Sequence, residues 1–378
     1  MSRLDELIAE LCPNGVPVVE LGDVIKFLNG RAYKQEELLT NGKYKVLRVG
    51  NFFTNESWYY SNLELSDDKF CYDGDLLYAW AASLGPQIWH GGKTIFHYHI
   101  WKLLFDESVI DKRFLFHFLK KDIDSIKNSL TNSTMPHVSM KNMKARVMPL
   151  PPLPVQEEIV RILDNFTELS AELSAELSAR EKQYEHYKNS LLLFGNTVPY
   201  VSLNNICDIY TGGEAPENCI KGPVGNENNP YPIWANGKEV YGYTDTYKID
   251  KDSVVISSIG ANTGAVFYRK GFFTPIIRLK VIIPKVDYVN TRYLFYAVST
   301  AKFSSKSGSV PNMNANDIKK ITVPVPPLKE QERIVAILDR FDSLCNDLTS
   351  GLPAEIEARQ KQYEYYRDKL LTFKEFEG

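Results

Sequence analysis

Apolar residues fall three and four apart along two long stretches of this chain. In the first they stand at Ile159, Ile162, Phe166, Leu169, Leu173, Leu177, Tyr184, Tyr187, Leu191 and Phe194. In the second they stand at Ile334, Ile337, Phe341, Leu344, Leu348, Leu352, Ile356, Tyr363, Tyr366, Leu370 and Phe373. That spacing draws one stripe down a helix. The first stretch, Val155 to Phe194, is 40 residues, or about 60 Å at the helical rise. Gly351 and Pro353 interrupt the second, which predicts a kink or two helices, with Pro353 in a first turn. Each stripe follows a proline-rich stretch that cannot be helical. Two such helices in one chain pack most simply on each other as an antiparallel coiled coil; the alternative is packing of each against its own domain.

Elsewhere the pattern is of β type. Tyr44–Val49, Leu76–Trp80, Ile95–Trp101, Ser253–Ser258 and Ile276–Ile283 read as strands, separated by glycine- and asparagine-rich loops. Asp111–Leu119 and Thr291–Ser299 read as short helices. The pattern predicts an α+β chain: a short N-terminal helix (1–16), a mixed module (17–148), a helical region (149–195), a second mixed module (196–325) and a C-terminal helical region (326–378).

The two halves are copies. Pro149-Leu150-Pro151-Pro152-Leu153, with Gln156-Glu157-Glu158-Ile159-Val160-Arg161-Ile162-Leu163-Asp164-Asn165-Phe166 after it, returns as Pro324-Val325-Pro326-Pro327-Leu328 and Gln331-Glu332-Arg333-Ile334-Val335-Ala336-Ile337-Leu338-Asp339-Arg340-Phe341, an offset of 175. Lys182-Gln183-Tyr184-Glu185-His186-Tyr187 returns as Lys361-Gln362-Tyr363-Glu364-Tyr365-Tyr366 at 179. The four extra residues are about one helical turn, which keeps a stripe nearly in phase. Sparser anchors link the modules: Val16-Pro17 with Val198-Pro199, Gly30 with Gly212, Phe114-Leu115-Phe116 with Tyr293-Leu294-Phe295, and Pro136 with Pro311. Between the anchors the modules scarcely resemble each other. Within the first helix, Glu-Leu-Ser-Ala occurs three times in succession from Glu168; each unit would lengthen a helix by about 6 Å.

Catalytic chemistry is hard to find. Gly91-Gly92-Lys93-Thr94 lacks the earlier glycine of a phosphate-binding loop, position 87 being Gln. Asn229-Pro230-Tyr231 is a fragment of a base-methyltransferase motif without its second proline or a methyl-donor loop, and reads as a turn. His97 and His99 have no third metal ligand at a useful spacing, so no metal site is expected. Five cysteines (Cys12, Cys71, Cys207, Cys219, Cys345), odd in number and without a C-x-x-C pair, fit a reducing compartment. A polar start and the lack of any apolar run of 18 residues or more lead us to expect a cytoplasmic protein without membrane contact.

The 378 residues carry a formal charge of −3, which excludes a small, uniformly basic nucleic-acid binder. The balance is uneven, however: residues 17–148 carry +2 and 196–325 carry +4, while the helical regions are acidic. A nucleic-acid partner would therefore touch the modules, with cations on phosphate and polar or aromatic side chains on base edges. Candidate DNA contacts in the first module are Arg31, Tyr33, Lys34, Trp58, Tyr60, Ser83, Gln87, His90, Lys93 and His137. In the second they are Asn226, Asn228, Trp234, Asn236, Lys238, Asn262, Tyr268, Arg269, Lys270, Ser309 and Asn312. A solvated loop or a core aromatic is the competing reading of each one singly.

The duplicated Pro-x-Pro-Pro-Leu-x-x-Gln-Glu-x-Ile-Val-x-Ile-Leu-Asp-x-Phe, each time followed by Lys-Gln-Tyr-Glu-x-Tyr, resembles the specificity subunits of type I restriction–modification systems, and the resemblance spans essentially the whole chain. It implies two target-recognition domains, each reading half of a split double-stranded DNA site. It also implies a coiled coil that separates them and docks two modification (methyltransferase) subunits, joined by a restriction (endonuclease/translocase) subunit. S-adenosylmethionine and ATP with magnesium would belong to those partners, with no cofactor and no catalysis in this chain. Two other readings are an interaction scaffold whose modules bind protein, and a self-sufficient DNA methyltransferase.

Overall fold

Ser2 opens the first helix, α1 (Arg3–Leu11): its hydroxyl accepts from the Asp5 amide and the Asp5 carboxylate accepts from the Ser2 amide, satisfying donors that a helix start leaves free. In this computed structural model residues 2–129, 137–195, 197–260, 262–301, 313–347 and 349–376 are described. The chain divides into two units, Met1–Glu172 with Ile356–Gly378, and Leu173–Glu355.

In the first unit α1 leads to β1 (Val18–Glu20), α2 (Leu21–Val24), β2 (Lys26–Asn29), β3 (Tyr44–Leu47), α3 (Val49–Phe53) and β4 (Tyr59–Ser61). Next come β5 (Phe70–Cys71), β6 (Leu76–Ala79), β7 (Gly85–Ile88), β8 (Thr94–Phe96) and β9 (Ile100–Leu104). Then follow α4 (Lys112–Ser129), α5 (Met140–Lys144), β10 (Val147–Pro149) and the long α6 (Leu153–Leu191). One sheet has the order β2-β9-β6-β7 and the other β4-β3-β8-β5, in which β3 and β8 run parallel. β1 pairs with β10.

The second unit holds β11 (Tyr200–Ser202), α7 (Leu203–Ile206), β12 (Cys207–Thr211), β13 (Tyr231–Trp234), β14 (Gly242–Thr244), β15 (Ser253–Ile256) and β16 (Val266–Arg269). After these come β17 (Thr274–Pro275), β18 (Lys280–Pro284), α8 (Thr291–Ser299), α9 (Ala315–Lys319), β19 (Thr322–Pro324), α10 (Leu328–Asn346) and the start of α11 (Leu352–Leu370). Its sheets are β12-β18-β15-β16 and β14-β13-β17, with β13 and β17 parallel and β11 paired with β19. Two nearly unrelated loop sets thus hang on one topology.

The repeated motif residues have matching duties. Gln156 is fully buried; its amide donates to the carbonyls of Val109 (2.9 Å) and Pro151 (2.7 Å) and its oxygen accepts from the Asp111 amide (2.8 Å). Gln331 does the same for Tyr288 (2.9 Å), Pro326 (2.8 Å) and Asn290 (2.8 Å). Asp164 accepts from Arg113 and from His117 on α4, and Asp339 from Arg292 and Tyr296 on α8. The shared prolines and glutamine therefore dock each long helix on its own module.

The apolar stripe divides accordingly. Ile159 and Leu163 lie in the core of the first unit, and Ile334 and Leu338 in that of the second. For Ile159 and Ile334 this corrects the assignment to a helix–helix seam: a proline-rich lead pins the opening turns against the module. Farther along, the helical regions do stack on each other. Phe166 stacks on Tyr366 (5.3 Å between ring centres) in the first unit, where Ile162 and Leu370 also pack and Tyr363 is buried. In the second unit Phe341 stacks between Tyr184 (6.2 Å) and Tyr187 (5.4 Å), and Leu191 packs on the core. Leu173 and Leu177 are half-buried, and Ile337, Phe341 and Leu344 line a groove of about 470 Å³. Leu169 and Leu344 are exposed, and Leu348 lies outside the described residues.

Three local expectations need correction. Ile95–Trp101 is not one strand but β8, a turn and β9, and Ile276–Ile283 likewise breaks before β18. In each case the chain passes from one sheet to the other, which an unbroken ladder could not do. α4 runs ten residues beyond the expected end at Leu119 because Ile126 continues its buried face. Pro353 stands in the first turn of α11 as expected.

Candidate nucleic-acid interface

The first module's candidates split into exposed loop residues and framework. Ser83, His90, Lys34, Lys93 and His137 are exposed; Gln87 on β7 and Tyr60 on β4 are half-exposed. The Lys93 ammonium lies 4.2 Å from the Phe70 ring centre, and Lys45 and Arg48 lie 5.0 and 4.7 Å from those of Trp58 and Tyr59. The sheet β4-β3-β8-β5 thus carries cations seated on aromatic rings, positive charge that suits phosphate contacts.

Other candidates are committed inside the protein. Arg31 holds Glu37 through two bonds of 2.9 and 2.7 Å, which keeps that carboxyl down to about 2. Tyr33 packs beside Val46, Phe70 and Ile95, and burial raises its phenol. Trp58 packs edge-on to Trp89 at 6.3 Å. Tyr33 and Trp58 are therefore corrected to partly buried aromatics packed against the core: loop aromatics beside strands are the natural cover for a small sheet.

In the second module Trp234, Tyr268, Arg269 and Lys270 gather around a cleft of about 660 Å³. The Arg269 guanidinium lies 3.6 Å from the Trp234 ring centre and donates to the carbonyls of Gly237 (3.3 Å) and Lys238 (3.1 Å). Burial pulls its pKa down to about 10, and its Nε has no partner among the described residues. Tyr268 donates to Asp252, and burial together with that carboxylate raises its phenol to about 12. Lys238, Lys270, Asn228 and Asn262 are exposed. Asn226 closes a local turn, accepting from the amides of Asn228 (3.1 Å) and Asn229 (2.9 Å).

Asn236 is a structural clamp rather than a free reader. It donates to the Ile277 carbonyl and accepts from the Ser258 amide (2.8 Å), while its own carbonyl accepts from Ser257 (2.8 Å) and Asn262 (3.3 Å). Ser309 and Asn312, with the loop prolines Pro136 and Pro311, lie outside the described residues.

Sequence reasoning passed over the turns at the strand breaks. Their signal was in the repeat. A side chain at Gly30 would come within 2.3 Å of the His97 carbonyl, and one at Gly212 within 2.8 Å of the Ile276 amide. The shared glycine marks where each chain passes against its turn. The turn of the first module is ringed by Trp80, His97, Tyr98 and His99, with Tyr98 and His99 centred 3.9 Å apart. Burial lowers His97 to about 4 and lowers His99 as well, so both are neutral near pH 7.

Two modules of one α+β topology, each docked on long helices and offering its own loops, define a duplicated recognition protein. A model of the type I restriction modification DNA specificity domain matches twice, over residues 13–180 and 196–358. The Mycoplasma pneumoniae protein described as type I specificity subunit S.MpnORF89P is 36% identical over 70% of this chain and 83% of its own length. The EcoR124I/EcoR124II specificity subunit of Escherichia coli is 35% identical over 58% of this chain and 60% of its own length. The crystal structure of the type I restriction–modification S subunit from M. genitalium shares the fold, with a TM-score of 0.61 at 16% identity over 94% of this chain and 96% of that one. The chain belongs to the specificity subunits of type I restriction–modification systems, a family of non-catalytic DNA-recognition subunits, and carries two DNA specificity domains. No helix among the described residues is long and apolar enough to cross a membrane.

Proposed function

We propose that each module reads one half of a bipartite duplex target while the long helices set the distance between halves and dock two modification subunits. The observation that carries this reading is the division of labour within the repeat. The bonds of Gln156 and Asp164 recur at Gln331 and Asp339, whereas the polar and aromatic loops differ throughout. A framework kept in duplicate beneath unlike surfaces suits two readers of unlike sequences. Methyl donor, ATP and magnesium then act on the modification and restriction subunits, in the prokaryotic cytoplasm where the DNA lies, and this chain supplies the address.

The test is duplex binding by the subunit assembled with its modification partners. Affinity is expected to fall steeply with salt, since phosphate contacts release counterions, and to require both half-sites at one spacing. Salt-insensitive binding, or binding indifferent to half-site sequence, would favour the protein-scaffold reading instead.

A further inference from the structure

The turn joining β8 to β9 and the turn joining β17 to β18 are one device in two copies. In the first, the Tyr98 amide donates to the Arg31 carbonyl (3.1 Å) and the Ile100 amide to the His97 carbonyl (3.0 Å). In the second, the Ile277 amide donates to Gly213 (2.7 Å) and the Leu279 amide to Ile276 (3.1 Å). Gly30 and Gly212 close the two turns by donating to Ile100 (3.2 Å) and Leu279 (2.7 Å).

The second copy is strained. Ile277 (φ 49°) and Arg278 (φ 59°) are consecutive left-handed residues, a conformation that a β-branched side chain resists strongly. Such strain persists only where the surroundings over-determine it, and they do. The Ile277 carbonyl accepts from the Asn236 amide group and the Arg278 carbonyl from the Ser258 hydroxyl (2.7 Å), while Asn236 and Ser258 bind each other. Yet the two side chains held in place face solvent and lie outside the buried core. Ile277 is 43% exposed, Arg278 is exposed, and Arg278 forms no ion pair among the described residues. In the first copy the Trp80 indole N–H takes the clamping role, donating to the Tyr98 carbonyl (2.7 Å), and Tyr98 is the exposed side chain.

We propose that the Ile277–Arg278 turn is a base-reading tip of the second module, Arg278 bonding the major-groove edge of a guanine and Ile277 packing beside it. This rests on the reading of the modules as half-site readers. A rigid arginine fork suits the paired acceptors of guanine, and a clamped backbone presents it with no further cost of ordering the backbone.

The test measures methylation by the assembled complex on duplexes in which each base pair of both half-sites is replaced in turn. Arg278→Ala is expected to lower the preference for the native pair by roughly 5- to 150-fold at one position of the second half-site, with preferences in the first half-site unchanged. Arg278→Lys, which keeps the charge but loses the fork, should lose most of the same preference. Ile277→Gly should relax the strain, keep or raise the melting temperature, and still weaken the preference. Equal loss on all duplexes, with the salt dependence reduced by about one phosphate contact, would overturn the proposal in favour of a backbone contact. An unchanged preference in Arg278→Ala, from a wild-type complex that does discriminate in the second half-site, would overturn it while leaving the half-site reading intact. A wild-type complex that discriminates nowhere in that half-site would overturn both.

Discussion

Gln156 and Gln331 show what the repeated motif is for. Each satisfies three backbone groups, partly or fully buried, with one buried side chain. Leaving such groups unpaired costs about 1–3 kcal/mol, so Gln156→Ala and Gln331→Ala should each lower the unfolding free energy of the subunit by that order, read as a lower midpoint in urea titration. An unchanged midpoint would show that water replaces the amide without loss. His97 supplies a second residue-level prediction. Burial depresses it from 6.5 to about 4, so between those values the unfolded chain binds more protons than the folded one. Stability is then complete above about pH 6.5 and falls as pH drops toward 4. Melting temperatures across that range should decline less in His97→Gln; parallel curves for the two proteins would contradict this. At this scale the sequence was most legible where residues repeat and least where they do not. Arg31 and Asn236 were recognisable as polar loop residues, but their engagement with Glu37 and with the Ile277 turn depends on partners 6 and 41 positions away, which no local pattern displays.

Helices were the readable elements, because a stripe along a helix of 39 residues is hard to mistake. α8 was expected with its observed limits, and the split between α10 and α11 follows from Gly351, where an added side chain would meet the Ser343 carbonyl at 2.6 Å. The strands were partly misread. Ile95–Trp101 and Ile276–Ile283 are rich in β-forming residues, but the left-handed pair at Ile277 and Arg278 is invisible to a count of branched side chains. The three Glu-Leu-Ser-Ala units belong to α6, where Leu173 and Leu177 are only half-buried, so the helix can change length there without opening a core. Deleting one unit removes about 6 Å of helix. Against the 3.4 Å rise of duplex DNA, the gap between methylated half-sites should shrink by about one or two base pairs. Mapping methylated sites of the deletion variant checks this, and an unchanged gap would remove α6 from the role of spacer.

For the whole molecule, a net charge of −3 averages unlike parts. The mixed modules are modestly positive and the helical regions negative, which fits a divided adaptor better than a free-standing DNA binder. The subunit alone should bind duplex weakly, and its complex with modification subunits far more tightly; equal affinities at the same salt would contradict that division. The central claim is that one framework carries two independent readers. It is tested most directly by exchanging residues 17–148 for the corresponding module of another specificity subunit and sequencing methylated bases in cells that carry the complex. One half-site should change while the other half and the gap stay as they were. A change in both halves, or in neither, would contradict the account.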